Sequence, residues 1–457
     1  MIRKECIDMD LITRPPNLAI SVQRARQFYT HFNAPPLYEH CHEVFQRASR
    51  EGMIDGGPLK RFKDDEEGSK LASFHSTVAE SMLYHVVDAD KLIGGSVDLS
   101  FLKEGHPLLD PVVRAELEVF SRLTELDRQG APTSEYASVL NNGPAPRALL
   151  TKLADYAVTH NTEDRTPGHI SHHQSPLFRM YSSQADAAKR LKMDAKAGER
   201  IYASVAELFG FPLLAGDILK HAYRINHQVI HDHVVGMIEK ERAEGRLGAT
   251  QTIARRLARV LKRTLRDSGF NVEVVQRLEK HEGKIMRKFY KQLAQRHKAL
   301  PTSYTPSLEE FIAENIREYS LSSINDPVAL KVIIDGFNGK QIDALPDADN
   351  ARVIKAALDM VTVQMEILQI VEGYVPTYTL LRKNNGYTAH HLDAKPTLHD
   401  NTLPLEVQVK TRAWDDVASH GKAAHYYYLG GDPEFIELVS SAYHDIIYRK
   451  QNGDNGR

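Results

Sequence analysis

At 457 residues the chain has room for about two or three domains with ample core. An apolar fraction of 42% is that of an ordinary soluble protein, and a net charge of −2 excludes a generally basic nucleic-acid coat. Only two cysteines occur, Cys6 and Cys41, which excludes a disulfide framework or a cysteine-rich zinc site and points to a reducing, cytoplasmic setting. The N-terminal stretch MIRKECIDMDLITRPP carries scattered charges and no long apolar run. No secretory signal and no bilayer-spanning segment is expected.

In chain order, residues 18–190 read as mostly helical. Three pieces stand out: His40-Cys41-His42-Glu43-Val44, the run from Ser76 to Asp88 that contains Tyr84-His85, and Thr151-Lys152-Leu153-Ala154-Asp155. His169, His172 and His173 fall in a Pro/Gly-containing stretch that reads as a solvated loop. Residues 193–268 read as a helical connector. Gly210 fits a helix C-terminus there, with Pro212 just beyond it. Further on, Ile253, Leu257, Leu261 and Leu265 form an apolar stripe, and Arg255, Arg256, Arg259, Lys262, Arg263 and Arg266 cover the rest of the helix. Without interleaved aromatics this suits a surface helix with snorkelling cations better than a nucleic-acid surface.

Gly283 to Leu300 reads as a helix with Lys284, Lys288 and Lys291 at i, i+4 and i+7 and Arg287 beside them. Ile285, Phe289 and Leu293 take another face, and the stacked cations suit a polyphosphate. Val328 to Ile334 is nearly continuous in apolar residues, as a strand buried on both faces would be, and Asn325-Asp326 enters it. It is expected to be the first strand of its domain. A long helix follows over Asn350 to Val371, with Asp349 or Asn350 as its cap. Its buried face is expected to carry Ile354, Ala357, Leu358, Val361, Met365 and Leu368. Tyr374-Val375-Pro376-Thr377 carries no charge. From Arg382 to Tyr426 the chain reads as two strands joined by a loop, then a helix. Asn385-Gly386-Tyr387 is a turn presenting an aromatic ring. In Leu405 to Lys410 the types alternate, which puts Glu406, Gln408 and Lys410 on one face and Leu405, Val407 and Val409 on the other. The small residues of Gly421-Lys422-Ala423-Ala424-His425 let a helix lie close to a sheet. Pro433 to Tyr448 reads as an amphipathic helix, and 451–457 as a disordered tail.

Three motifs in one order, with Asn385, Gly386, Tyr387 and His391, then Glu406, Gln408 and Thr411, then Gly421, Ala423, Ala424 and His425, resemble the synthetase domain of the RelA/SpoT homologue family of alarmone synthetase–hydrolases. That family shows N-G-Y-x-S-x-H, E-[IV]-Q-[IV]-R-T and G-x-A-A-H; Ala389 and Lys410 stand where it has Ser and Arg. The resemblance implies an α+β multidomain chain. Residues 1–192 would be an all-helical HD-type domain and 193–268 a helical connector. Residues 269–450 would be a synthetase domain with a nucleotidyltransferase-like mixed sheet flanked by helices, and 451–457 the tail.

The resemblance further implies transfer of the β,γ-diphosphate of ATP to the 3′-hydroxyl of GDP or GTP. Asp326, Glu406 and Gln408 would be the catalytic residues, with Asp326 and Glu406 holding Mg²⁺. Tyr387, Asn385, His391, Lys410 and His425 would hold the acceptor. Lys284, Arg287, Lys288 and Lys291 would hold the donor phosphates. In the family's donor pattern, G-R-P-K-x-x-x-S-x-x-x-K, Lys284 aligns with the first Lys, while Glu282, Lys288 and Gln292 replace Arg, Ser and the second Lys. Tyr374 to Thr377 stands where the family has a basic R-F-K-D. In the N-terminal half, His40 and Asp155 match outer metal ligands, but Tyr84 and His85 replace the central His-Asp. That half reads as a degenerate, inactive hydrolase without Mn²⁺, its vestige being His40, His85 and Asp155. Two alternatives stay open: the same chemistry on an adenosine nucleotide or a tRNA 3′ end, and a catalytically dead nucleotide-binding homologue. No membrane partner is expected.

Overall fold

The structure, a computed structural model, describes residues 119, 122–127, 129–140, 152–153, 156, 184–208, 211–300, 306–384, 386–396 and 401–419. The expectations for His40, His85, Asp155, the 169–173 histidines, Asn385, His425 and the last helix lie outside these residues. Two compact units result: Met1–Asn226 with Leu429–Arg457, and His227–Tyr428.

In the first unit the described helices are α1 (Thr133–Leu140), α2 (Gln184–Ala197), α3 (Ala203–Leu208) and α4 (Pro212–Asn226), with a π-helical turn at Gly198–Tyr202 between α2 and α3. The buried Asp127 organises part of it. The hydroxyls of Tyr136 and Tyr202 donate to its carboxylate at 2.8 and 2.9 Å, and Lys152 lies 3.4 Å away. A carboxylate this deep is retained because each oxygen is paired.

The second unit opens with α5 (Gln228–Ala243) and α6 (Arg246–Asp267). Ile253, Leu257, Leu261 and Leu265 of α6 are buried, and Arg255, Arg256, Arg259, Lys262, Arg263 and Arg266 are exposed. The 3.6-residue periodicity therefore reads out as an amphipathic helix with its cations in water.

Six strands then make one mixed sheet: β1 (Phe270–Arg277), β2 (Val328–Phe337), β3 (Lys340–Gln341), β4 (Tyr374–Arg382), β5 (Thr388–Pro396) and β6 (Leu405–Thr411). The order is β1-β2-β6-β5-β4, with β3 paired to β2. β2 and β6 run parallel at the centre, and the remaining pairs are antiparallel. The parallel pair needs a long crossover. It contains α9 (Asp347–Glu372), β4 and β5, and α7 (Glu282–Lys298) and α8 (Leu308–Asn315) precede β2. The short helix α10 (Arg412–Ser419) follows β6 directly. Arg412 ties it down with a forked pair to Asp335 at 2.7 and 3.2 Å and a bond to Glu273.

Two expectations change. Val328–Phe337 is not the first strand, because β1 precedes it and pairs with it. The long helix begins three residues early, behind Pro346; neither Asp349 nor Asn350 caps it, and the Asn350 amide donates to the Ile342 carbonyl instead. Proline fixes the entry and leaves Asp347 and Asp349 in the first turn, where carboxylates favour the helix dipole. Its expected buried face holds, except that Leu358 is half-buried.

β2 is buried on both faces, as its apolar run predicts. β6 is also covered on both faces: Leu405, Val407 and Val409 are fully buried, contributing about 2 kcal/mol each. Glu406 and Lys410 on the opposite face are buried too, which alternation alone does not announce. The β2–β3 hairpin turns at Asn338-Gly339, both at positive φ (48° and 77°), the pairing that tight hairpins select.

Candidate functional site

The site lies on the face of the central sheet that carries Glu406, Gln408 and Lys410. Register assembles it. Asp393 of β5 stands directly opposite Glu406, and His391 opposite Gln408. On the other side Ala329 pairs with Glu406 and Lys331 with Gln408. Since β2 and β6 are parallel, the entry to β2 delivers Asp326 to the same end of the sheet as Glu406.

A relay of hydrogen bonds runs across this face. The Tyr387 hydroxyl and His391 Nε2 lie 2.8 Å apart, and His391 Nδ1 lies 2.8 Å from Glu406 Oε1. The Gln408 amide donates to Glu406 Oε2. An ionised carboxylate only accepts, so Nδ1–H donates to Glu406, and Nε2 is the ring nitrogen that meets the Tyr387 hydroxyl. Burial and the repulsion of Asp326 work against the Glu406 charge, but the hydrogen bond from His391, with that from Gln408, outweighs them. The carboxyl is held below its ordinary range.

The Tyr387 ring is half-buried, with the ammonium groups of Lys410 and Lys383 at 4.9 and 5.2 Å from its centre. Both are within cation–π range. Gly386, at φ +86°, turns the chain just before it. Lys410 is itself placed by Asp415 of α10, a buried carboxylate that bonds Lys331 through both oxygens at 2.8 Å and lies 3.9 Å from Lys410. Burial and the neighbouring Lys331 pull the Lys410 pKa down to about 8 despite Asp415.

A second cluster gathers around Asp326. Lys280 bonds its Oδ2 at 2.6 Å, Arg277 reaches the same oxygen at 2.8 Å, and Lys288 reaches Oδ1 at 3.1 Å. The main chain builds this clamp. The Lys280 N–H donates to the Pro327 carbonyl, and Arg277 also donates to the Asp326 carbonyl, which locks the β1–α7 junction onto the entry of β2. Burial opposes the Asp326 charge, but Lys280, Arg277 and Lys288 together hold its carboxyl well below the usual carboxylate range. Lys280 pays for its own burial with a pKa near 8.

Of the cations expected on α7, Lys288 joins this clamp. Arg287 is buried in the helix packing, and burial takes Lys291 to a pKa of about 8, helped by Arg287. Glu282 turns toward Arg242, 3.7 Å away. Arg277 and Lys280 were missed. The signal lay in Phe270-Asn271-Val272-Glu273-Val274, whose alternation marks a strand ending at Arg277. With Lys280 as the first lysine of the donor pattern, one turn earlier, Lys284 falls on its Ser position and Lys288 on its second Lys. Asp393 and Asp415 were missed as well; Asp393 follows His391 by two residues and so shares its face.

Fold and site together define an α+β domain whose sheet carries a clustered set of cations beside a hydrogen-bonded carboxylate. Residues 279–432 match the region found in RelA/SpoT proteins. A probable GTP diphosphokinase, RSH3, chloroplastic, of Arabidopsis thaliana is 27% identical over 177 residues, covering 38% of this chain and 21% of that protein. A putative GTP diphosphokinase, RSH1, chloroplastic, of Oryza sativa subsp. japonica is 32% identical over 108 residues, covering 23% and 11%. The chain thus spans about a fifth or less of the length of these relatives. Among the described residues no helix is long and apolar enough to cross a membrane.

Proposed function

We propose that the chain is a pyrophosphokinase that transfers the β,γ-diphosphate of ATP to the 3′-hydroxyl of GDP or GTP. The oxygen of the hydroxyl bonds to the β-phosphorus, the α–β bridge breaks, AMP leaves, and the hydroxyl proton goes to a base. The observation that carries this reading is the juxtaposition on one sheet end of a three-cation cluster and a hydrogen-bonded, ionised Glu406. Phosphoryl-type transfer needs charge neutralisation and alignment more than covalent help.

In this reading Arg277, Lys280 and Lys288 hold the donor phosphates, exchanging Asp326 for a more highly charged anion. Lys284 and Lys291 extend the cationic face of α7 behind them, and Arg287 adds its charge from within the packing. Glu406 accepts the acceptor's proton, and His391 and Gln408 keep it ionised and aimed. Tyr387 offers its ring to the acceptor base, with Lys410 beside it for the acceptor's phosphates; Asn385 and His425 complete that side. Magnesium, when bound, supplies positive charge between the phosphates. Glu406, with a neighbouring carboxylate, would hold it, and the buried, unpartnered oxygen of Asp393 beside Glu406 fits such an ion. The N-terminal half is proposed to be hydrolytically silent.

The test is incubation of the full chain with Mg²⁺, ATP and GDP or GTP, followed by product separation. Wild type is expected to yield a guanosine nucleotide with a 3′-diphosphate, and Glu406→Ala to lose at least about 10²-fold in kcat. No product from wild type, or equal product from Glu406→Ala, overturns the reading. Label appearing only on added tRNA would replace the acceptor.

A further inference from the structure

We infer that the outer face of the α6–α9 helix layer is a docking surface for an anionic lipid membrane. The inference goes beyond the proposed function, and neither depends on the other.

The two helices form one layer. α6 packs on β1 and β2, α9 packs on β4 and β5, and the helices pack against each other, where Arg256 of α6 pairs with Glu372 of α9. β1 turns the buried Phe270 and Val272 toward this layer and the exposed Asn271 and Glu273 away from it. Register carries that face through Ile334 and Val332 to Val409. The layer therefore covers the apolar face of the sheet, and its outer surface points away from Glu406 and Lys410.

The first feature of this surface is charge. Arg255, Arg259, Lys262 and Arg266 follow one another at i, i+4, i+7 and i+11, so they share one exposed stripe of α6, and Arg263 flanks it. Among the described residues only Arg256 of the six exposed cations has a carboxylate within ion-pair distance. Arg255–Arg259, Arg259–Arg263 and Lys262–Arg266 are like charges one turn apart, which costs helix stability. An anionic surface laid over the stripe turns that repulsion into attraction.

The second feature is apolar. On α9, Val363, Ile367, Ile370 and Val371 recur at i, i+4, i+7 and i+8, on the side opposite the buried Val361, Met365 and Leu368. Ile370 is 84% exposed and Val371 61%, and both immediately precede Glu372 at the seam with α6. Val260, one turn after Arg256, adds an exposed side chain from α6. Exposure this high belongs to side chains that project from a surface instead of lining a recess.

The two stripes together select the partner. Nucleic acid would meet the cations but leave the aliphatic side chains in water, and neither stripe offers an aromatic ring on which a base could stack. A second copy across a twofold axis would set six cations against six. A partner helix docks in a groove, which projecting side chains do not form. A membrane with acidic headgroups answers both stripes: guanidinium and ammonium groups meet phosphates, and the isoleucine and valine side chains enter the boundary of the acyl region. Stable attachment takes two signals, and this layer holds a polybasic one and an apolar one. Among the described residues no helix can cross a bilayer, but lying on one is a different demand.

The experiment sediments the full chain, without nucleotide, with vesicles of phosphatidylcholine alone or of phosphatidylcholine mixed with phosphatidylglycerol. Wild type is expected to pellet with the acidic vesicles only, and to be released as salt is raised. The triple variant Arg255→Gln, Arg259→Gln, Lys262→Gln and the double variant Ile370→Ser, Val371→Ser are each expected to weaken binding by at least about fivefold. All five positions are exposed, and circular dichroism with the melting temperature checks that both variants fold. Failure of wild type to pellet with acidic vesicles overturns the inference. Undiminished binding by the folded glutamine variant does so as well, and so does undiminished binding by the folded serine variant, which would reduce the surface to bare charge. Retention of a short RNA duplex in place of the vesicles would replace lipid with nucleic acid. Because nucleotide is absent, none of these results bears on diphosphate transfer.

Discussion

The two ends of the site are built differently. The end proposed to take the acceptor, around Tyr387, His391, Glu406 and Gln408, comes from two adjacent strands and the turn before one of them, and is held by hydrogen bonds. The end proposed to take the donor, around Asp326, comes from a strand end, a loop and a helix, held by charge. Sheet register fixes positions rigidly and independently of salt. A cation cluster closed on its own carboxylate is a stored charge, ready to exchange partners when a stronger anion arrives. In the proposed reading the contrast separates a preformed base from a donor seat held by exchangeable ion pairs.

The sharpest way to break this separation is Lys280→Ala. It removes the shortest bond to Asp326, and the expected result is a rise in KM for ATP of about tenfold to a hundredfold, from a charged hydrogen bond of about 1.5–3 kcal/mol. KM for the guanosine acceptor should stay nearly constant. Equal rises for both substrates would contradict two independently built ends.

Asp415→Asn probes the other end. It frees Lys331 and Lys410, so KM for the acceptor should rise several-fold while that for ATP is unchanged. The melting temperature should fall as well, since breaking a buried ion pair costs about 3 kcal/mol. Asp415→Glu should recover part of both. A melting shift with unaltered acceptor KM would reduce Asp415 to a structural role.

A smaller effect concerns pH. Lys280 and Lys410 have folded-state pKa values near 8 against an ordinary 10.5, because burial disfavours their charge. Their cations are present below pH 8 and lost above it. The kcat/KM profiles for both substrates should therefore fall as pH rises through about 8, and Lys280→Arg should remove that limb for ATP alone. Stability has the opposite sign. The unfolded lysines keep their protons up to about 10.5, so between 8 and 10.5 the unfolded state binds more protons and these two groups favour folding increasingly as pH rises. The smallest effect is expected from Arg255→Ala with Arg259→Ala on the exposed face of α6, within about 0.5 kcal/mol in stability and without change in either KM. A loss of activity there would draw that face into the site.

What the sequence disclosed follows the same contrast. Alternation in Leu405 to Lys410 named the strand β6 and the shared face of Glu406, Gln408 and Lys410, because a strand's period of two is local information. The stripe of Ile253, Leu257, Leu261 and Leu265 named α6 for the same reason. Asp393 went unnoticed because its meaning lies in register: only pairing with β6 brings it opposite Glu406. Arg277 and Lys280 went unnoticed because β1 was not recognised as a strand, so the lysines were counted along one helix. The burial of Glu406 and Lys410 depends on what covers the sheet, which no local pattern states.

The central claim is diphosphate transfer to a guanosine nucleotide, and position-labelled ATP tests it most directly. With Mg²⁺ and GTP or GDP, ATP labelled at the α-phosphate is expected to yield labelled AMP, and ATP labelled at the γ-phosphate to yield a labelled guanosine product, both absent with Glu406→Ala. Labelled ADP from the α-labelled substrate, with inorganic phosphate from the γ-labelled one and no guanosine product, would contradict the account.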